Sequence, residues 1–185
     1  MKNTKNFALA ILLFVSISLQ GQTQEAAIKK DIETYFKLLQ EEKISEALDW
    51  VHPDLIGMIG KEMFLTQYSE MLKKASFGAL EIKSVSPVYA TSEKGDYALV
   101  DYNFKMNYDV SDMEGQARQI FLSSMKSQFG EAVLKGDVVE VSAVREMFAV
   151  SKIDFEGWRI LDYEKGMKMI LTSIIPEEVF THFKK

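Results

Sequence analysis

The chain predicts an α+β fold, with helices gathered in its N-terminal part and long antiparallel strands after them. Three observations carry this. From Gln24 to Lys74 apolar residues recur at the spacing of amphipathic helices. From Tyr97 to Tyr108 the period drops to two, as in a strand with one buried face. Beyond it, the extended segments Val138–Ile153 and Trp158–Tyr163 are joined by the tight turn at Glu156-Gly157, which reads as a hairpin.

The first helix spans Gln24–Glu42 and places Ile28, Ile32, Tyr35, Phe36 and Leu39 on one face. A shorter helix carries Ile44, Ala47, Leu48 and Val51, and Pro53 ends it, because the residue before a proline avoids helical angles. Gly57 and Gly60 mark a loop. Lys61–Lys74 is a third helix with the stripe Phe64, Leu65, Tyr68, Met71 and Leu72. Leu80–Tyr89 is extended, with Pro87 placing a bend or an edge, and Ser92–Gly95 is a turn. In the strand Tyr97–Tyr108, Ala98, Val100, Tyr102, Phe104, Met106 and Tyr108 share one face, opposite Asp101, Asn103, Lys105 and Asn107. Ser111 and Glu114 have capping-box spacing ahead of an inserted helix, Glu114–Gln128, closed by Gly130. In Val138–Ile153 the alternation changes phase, which a bulge near Ala143–Arg145 reconciles. Pro176, Glu177 and Glu178 suit the first turn of a last short helix, with Val179, Phe180 and Phe183 on its buried side.

Residues 1–21 read as a cleaved signal peptide: Lys2 and Lys5, the uncharged apolar run Phe7–Leu19, then Gln20 and Gly21. The run is shorter than the ~20 residues a membrane span needs. The remainder, residues 22–185, suits one domain, with 164–185 as a C-terminal tail. The 185-residue chain has no cysteine, which excludes disulfides, thiolate metal sites and a lipid anchor on cysteine. The predicted location is therefore periplasmic or secreted, without a stable membrane anchor. The net charge of -5 becomes more negative once the leader's lysines are removed, which disfavours nucleic acid as a partner.

The first helix, the segment Ala47-Leu48-Asp49-Trp50-Val51-His52-Pro53-Asp54 and the hairpin Asp154-Phe155-Glu156-Gly157-Trp158-Arg159-Ile160 resemble the nuclear-transport-factor-2-like superfamily, the SnoaL-like, cystatin-like α+β cone. The likeness covers about residues 25–163. It implies N-terminal helices packed on a strongly curved antiparallel sheet, with a pocket in between. The inserted helix, within 109–138, and the C-terminal helical tail depart from the plain pattern and alter the cone's mouth or add an interface.

In a cone the core face of the sheet is also the pocket wall. The candidate ligand contacts are therefore Tyr35 and Phe36 on the first helix, Tyr102, Phe104 and Tyr108 on the strand, and Arg145. Tyr35 and Tyr102 are the polar handles, since a buried phenol needs a partner. Arg145 either anchors an acidic ligand or is a charge that protects a sheet edge. His52 and Asp54 have the makings of an acid/base pair, but residues two apart at a helix terminus point apart. Asp101 alternates with Asn103 and Lys105, which points it to solvent. No catalytic residue, metal ligand or cofactor is assigned. The reading is a non-catalytic exported domain that binds a small, partly apolar ligand or forms a homodimer through its sheet. The alternatives are an acid/base enzyme of isomerase, dehydratase or hydrolase type, and a protein-interaction module using Ile170, Leu171, Ile174 and Ile175.

Overall fold

The computed structural model describes residues 23–91 and 95–185. The leader and most of the Ser92–Gly95 turn lie outside the described residues. Helix α1 (residues 23–40) is followed by α2 (Ile44–Ala47), which continues as a 3-10 turn over Leu48–Trp50, then α3 (Pro53–Ile59) and α4 (Lys61–Leu72). The strands are β1 (Ala75–Val85), β2 (Tyr89–Ala90), β3 (Gly95–Asp109), β4 (Glu131–Lys135), β5 (Val138–Lys152) and β6 (Arg159–Tyr163), with helix α5 (Gly115–Phe129) inserted before β4. The tail holds α6 (Lys168–Leu171) and α7 (Glu177–Phe183). The strands form one six-stranded antiparallel sheet ordered β1-β3-β5-β4, with β2 on β3 and β6 on β5. Helices on such a sheet make a cone-like α+β fold.

Helix α1 buries the face its spacing predicts: Ile28, Ile32, Phe36 and Leu39 are all buried. Ile28, Ile32 and Phe36 pack on the inner sheet face, made by Ala98, Val100, Tyr102, Phe104 and Met106 of β3 with Val139, Val141, Ala143, Met147 and Ala149 of β5. Asp31 ties this helix to the far hairpin, accepting the Trp158 N–H at 2.9 Å. The hairpin turn needs glycine there: Gly157 has φ +81°, and a Cβ would fall 2.8 Å from the Asp31 carboxylate.

Three local expectations are corrected. Pro53 does not close a helix but opens α3, where its missing N–H is no loss. His52, extended at φ -58° and ψ 127°, is the N-cap, its Nδ1 accepting the Asp54 N–H at 3.3 Å. The Ser111/Glu114 capping box does not form, because Ser111 N–H donates instead to Asp109 Oδ1 at 2.8 Å and Glu114 caps α5 without a side-chain bond. The predicted bulge in β5 is absent: β3 and β5 pair in unbroken register from Gly95↔Lys152 to Asp109↔Val138. The irregularities sit in β1, between Phe77 and Leu80 and between Ile82 and Ser84.

The tail explains the phase change in β5. Phe148 and Val150 point to the outer face with Tyr97, Leu161 and Tyr163, where Leu171, Ile174, Ile175, Val179 and Phe180 cover them. This part of β5 is buried on both faces. It also corrects the use of the tail as an interaction surface: Leu171, Ile174 and Ile175 are buried in the protein's own core, and of the four residues only Ile170 is exposed.

On the edge of β5 away from β3, β4 pairs with Val138–Ser142 and β6 with Glu146–Val150. The two strands thus share one edge end on end, with the ladder interrupted at Ala143–Arg145. Arg145 is not the guard of an outer edge strand. It stands inside the sheet at this interruption, and its side chain faces inward.

Candidate functional site: an aromatic cavity with a charged wall

Between α1, α3–α4 and the inner sheet face lies a cavity of about 510 Å³. Most of its lining is apolar: Phe36 and Leu39 of α1, Leu55 and Ile59 of α3, Phe64 and Met71 of α4, Phe104, Met106 and Met147 of the sheet, and Phe129 at the end of α5. Helix α4 buries no residue completely, so its apolar stripe is a thin cover over the cavity rather than a packed layer. The inserted helix closes another side. Arg118 holds it there by donating from Nε to Met113 O at 2.9 Å and from Nη2 to Val110 O at 3.0 Å.

Five of the six residues that the sequence singles out, Tyr35, Phe36, Tyr102, Phe104 and Arg145, line this cavity. Tyr108 does not; its ring packs on Phe121 of the inserted helix, with centroids 4.7 Å apart. The rings are mutually braced: Phe36 meets Tyr35 and Tyr102 edge-on at 5.3 and 5.6 Å, and Phe104 meets Phe129 edge-on at 5.9 Å.

One wall is polar, and its organiser is Asp162. Its Oδ1 accepts from Tyr102 Oη at 2.8 Å and its Oδ2 from Arg145 Nη2 at 2.7 Å. Arg145 Nη1 donates to Glu164 Oε1. Cross-strand register aligns the group: Tyr102 is opposite Arg145, and Met147, two residues on from Arg145, is opposite Asp162. Burial opposes the charge on Arg145, but the carboxylates of Asp162 and Glu164 outweigh it, so the guanidinium stays ionised. Burial, then the Asp162 charge, pushes the Tyr102 phenol far above its usual range. Burial likewise raises Tyr35, with Tyr68 adding to the shift, and raises Tyr68 itself. All three phenols are therefore protonated at neutral pH, and Tyr102 donates to Asp162.

Asp162 is not among the residues the sequence singles out, although its signal is readable. Period two puts Trp158, just before β6, on one face with Ile160 and Asp162, and the first two fix that face as inward. A carboxylate on a core-facing position needs polar partners and so marks a built polar site.

His52 and Asp101 stand elsewhere. His52 is fully buried against Phe155, outside the cavity lining, and its Nδ1 is 3.8 Å from Asp54 Oδ2. Asp101 lies on the outer face and accepts from Ser84 Oγ at 2.6 Å. Among the described residues no group of three His, Cys, Asp or Glu side chains could hold a metal ion, and no helix is long and apolar enough to cross a membrane.

Fold and site together define a class: a cone-like α+β protein with an aromatic cavity and one charged wall. No family model matches the chain, and no curated protein matches it. Among solved structures it is similar to a candidate polyketide cyclase from Xanthomonas campestris pv. campestris, at 12% identity over 80% of this chain and 96% of that one, with a TM-score of 0.39. Nothing about ligand or activity follows from a likeness at that level.

Proposed function

We propose that this is an exported, non-catalytic member of the nuclear-transport-factor-2-like superfamily whose cavity takes a small, partly apolar ligand. The carrying observation is the cavity itself, about 510 Å³ and mostly apolar, with a few polar groups gathered on one wall. That volume and lining suit small-molecule sites, which span roughly 300–1,000 Å³. Export rests on the leader sequence. Dimerisation through the sheet has less support, because the outer face that the tail leaves open is mostly polar, with Asn103, Lys105, Asn107, Glu140 and Ser142 beside the exposed Val133 and Val144.

The test is binding of the neutral fluorophore N-phenyl-1-naphthylamine, paired with native mass spectrometry of protein recovered from the exported fraction. Saturable binding, lost when Met71→Trp fills the cavity from α4, is the expected result. A protein that carries no ligand and binds no fluorophore overturns the reading.

A second reading, acid/base catalysis of isomerase, dehydratase or hydrolase type, is favoured by the Tyr102–Asp162 contact on the cavity wall. Against it, both Asp162 oxygens already accept hydrogen bonds, one of them from a guanidinium. Exchange of deuterium into cyclic ketones, abolished by Asp162→Asn, is the outcome that would favour the enzyme.

A further inference from the structure

The charge on the cavity wall points to a ligand chemistry, resting on the reading that the cavity binds a small molecule. Among the described residues, the charged groups lining it are one guanidinium, Arg145, and two carboxylates, Asp162 and Glu164. The cation is paired within the wall. Nη1 and Nη2 of Arg145 donate to the two carboxylates, and Nε, though without a partner, is buried. Each Nη keeps a second N–H, but the guanidinium is already paired with two carboxylates, so an acidic ligand would meet a wall with an excess of acidic groups. The acids are less enclosed: the Asp162 and Glu164 side chains are 43% and 33% exposed, against 13% for Arg145. A carboxylate offers about four lone-pair positions, so one or two donated bonds leave acceptor capacity facing the cavity. Aromatic rings on α1, α4 and α5 surround the space, and the face of a ring attracts a cation.

We infer that the cavity selects a protonated amine on an apolar, ring-bearing body, with the ammonium held by Asp162 and Glu164 and the body against the aromatic walls. This runs against the alternative in which Arg145 anchors an acidic ligand.

The experiment compares three competitors of one length, 4-phenylbutylamine, 4-phenylbutanol and 4-phenylbutanoate, as displacers of N-phenyl-1-naphthylamine from the purified protein. The amine should displace the fluorophore at about one-tenth the concentration of the alcohol, the scale of one hydrogen bond to a charged partner. The carboxylate should be the weakest of the three. In Glu164→Gln and Asp162→Asn the amine's advantage should shrink to about threefold or less, while retained fluorophore binding shows that each variant is folded. Glu164→Gln is the safer variant, since Glu164 has the fewer contacts within the wall. If the fluorophore binds but the carboxylate or alcohol competes as well as the amine, this inference fails and the cavity reading stands. If the fluorophore does not bind, both fail.

Discussion

His52 and Asp162 show two fates for a titratable group inside this protein. Asp162 accepts hydrogen bonds from Tyr102 and Arg145. His52 has no such compensation. Its Nε2 is buried without a partner, and burial, followed by the charge of Lys152, lowers its pKa from 6.5 to about 4. A buried histidine that resists protonation contributes stability above its unfolded pKa. That contribution is lost as pH falls from 6.5 towards 4, because the unfolded chain takes up the proton first. His52→Asn can still cap α3 with its side-chain oxygen but does not titrate. Urea unfolding at pH 7 and pH 4.5 should show wild type losing on the order of 1–2 kcal/mol more than this variant. Equal losses would mean that His52 is not the acid-sensitive group. The cap of α3 was half legible in the sequence. His-Pro-Asp marked a helix boundary correctly, but proline signals both the end of one helix and the first turn of another. Only the backbone of His52 shows which applies.

At the scale of elements, β5 and the tail are one problem. The outer halves of β5 and β6 are apolar only because α6 and α7 lie on them. Ending the chain at Glu164 would expose Phe148, Val150 and Leu161, all fully buried here. That truncation should aggregate, or bind a hydrophobic dye as a loosely packed state with near-native far-UV circular dichroism. A soluble, cooperatively folding product would mean the tail is dispensable. The elements that alternate against a single partner were readable: α1 from its helical face and β3 from its period of two. Strand β5 was misread as bulged because the alternation rule assumes one wet face, and half of this strand has none. Nothing near β5 in sequence announces the tail that covers it. The cavity wall was legible in part for the same reason. Tyr102 and Arg145 stand out along the chain, while their link through Asp162 depends on the pairing of β5 with β6.

At the scale of the whole molecule, one sheet separates two interiors of different character. The outer one is filled, with Phe148, Val150, Leu161 and Phe180 completely buried. The inner one is left open by about 510 Å³. Packing on the outer side thus supports a sheet whose inner side is free to hold something else. The shared edge of β5 has a consequence for how this molecule opens. Since β4 and β6 do not pair with one another, each can leave β5 alone, so the edge should split into two units of local unfolding. Strand β4 has a single fully buried residue, Ala132, whereas β6 buries Ile160, Leu161 and Tyr163. Native-state hydrogen exchange should therefore release the amides of Glu131–Lys135 at lower denaturant than those of Arg159–Tyr163. Release of both together would show one cooperative edge instead. If they separate, the inserted helix and its strand can breathe while the hairpin that holds Asp162 stays closed.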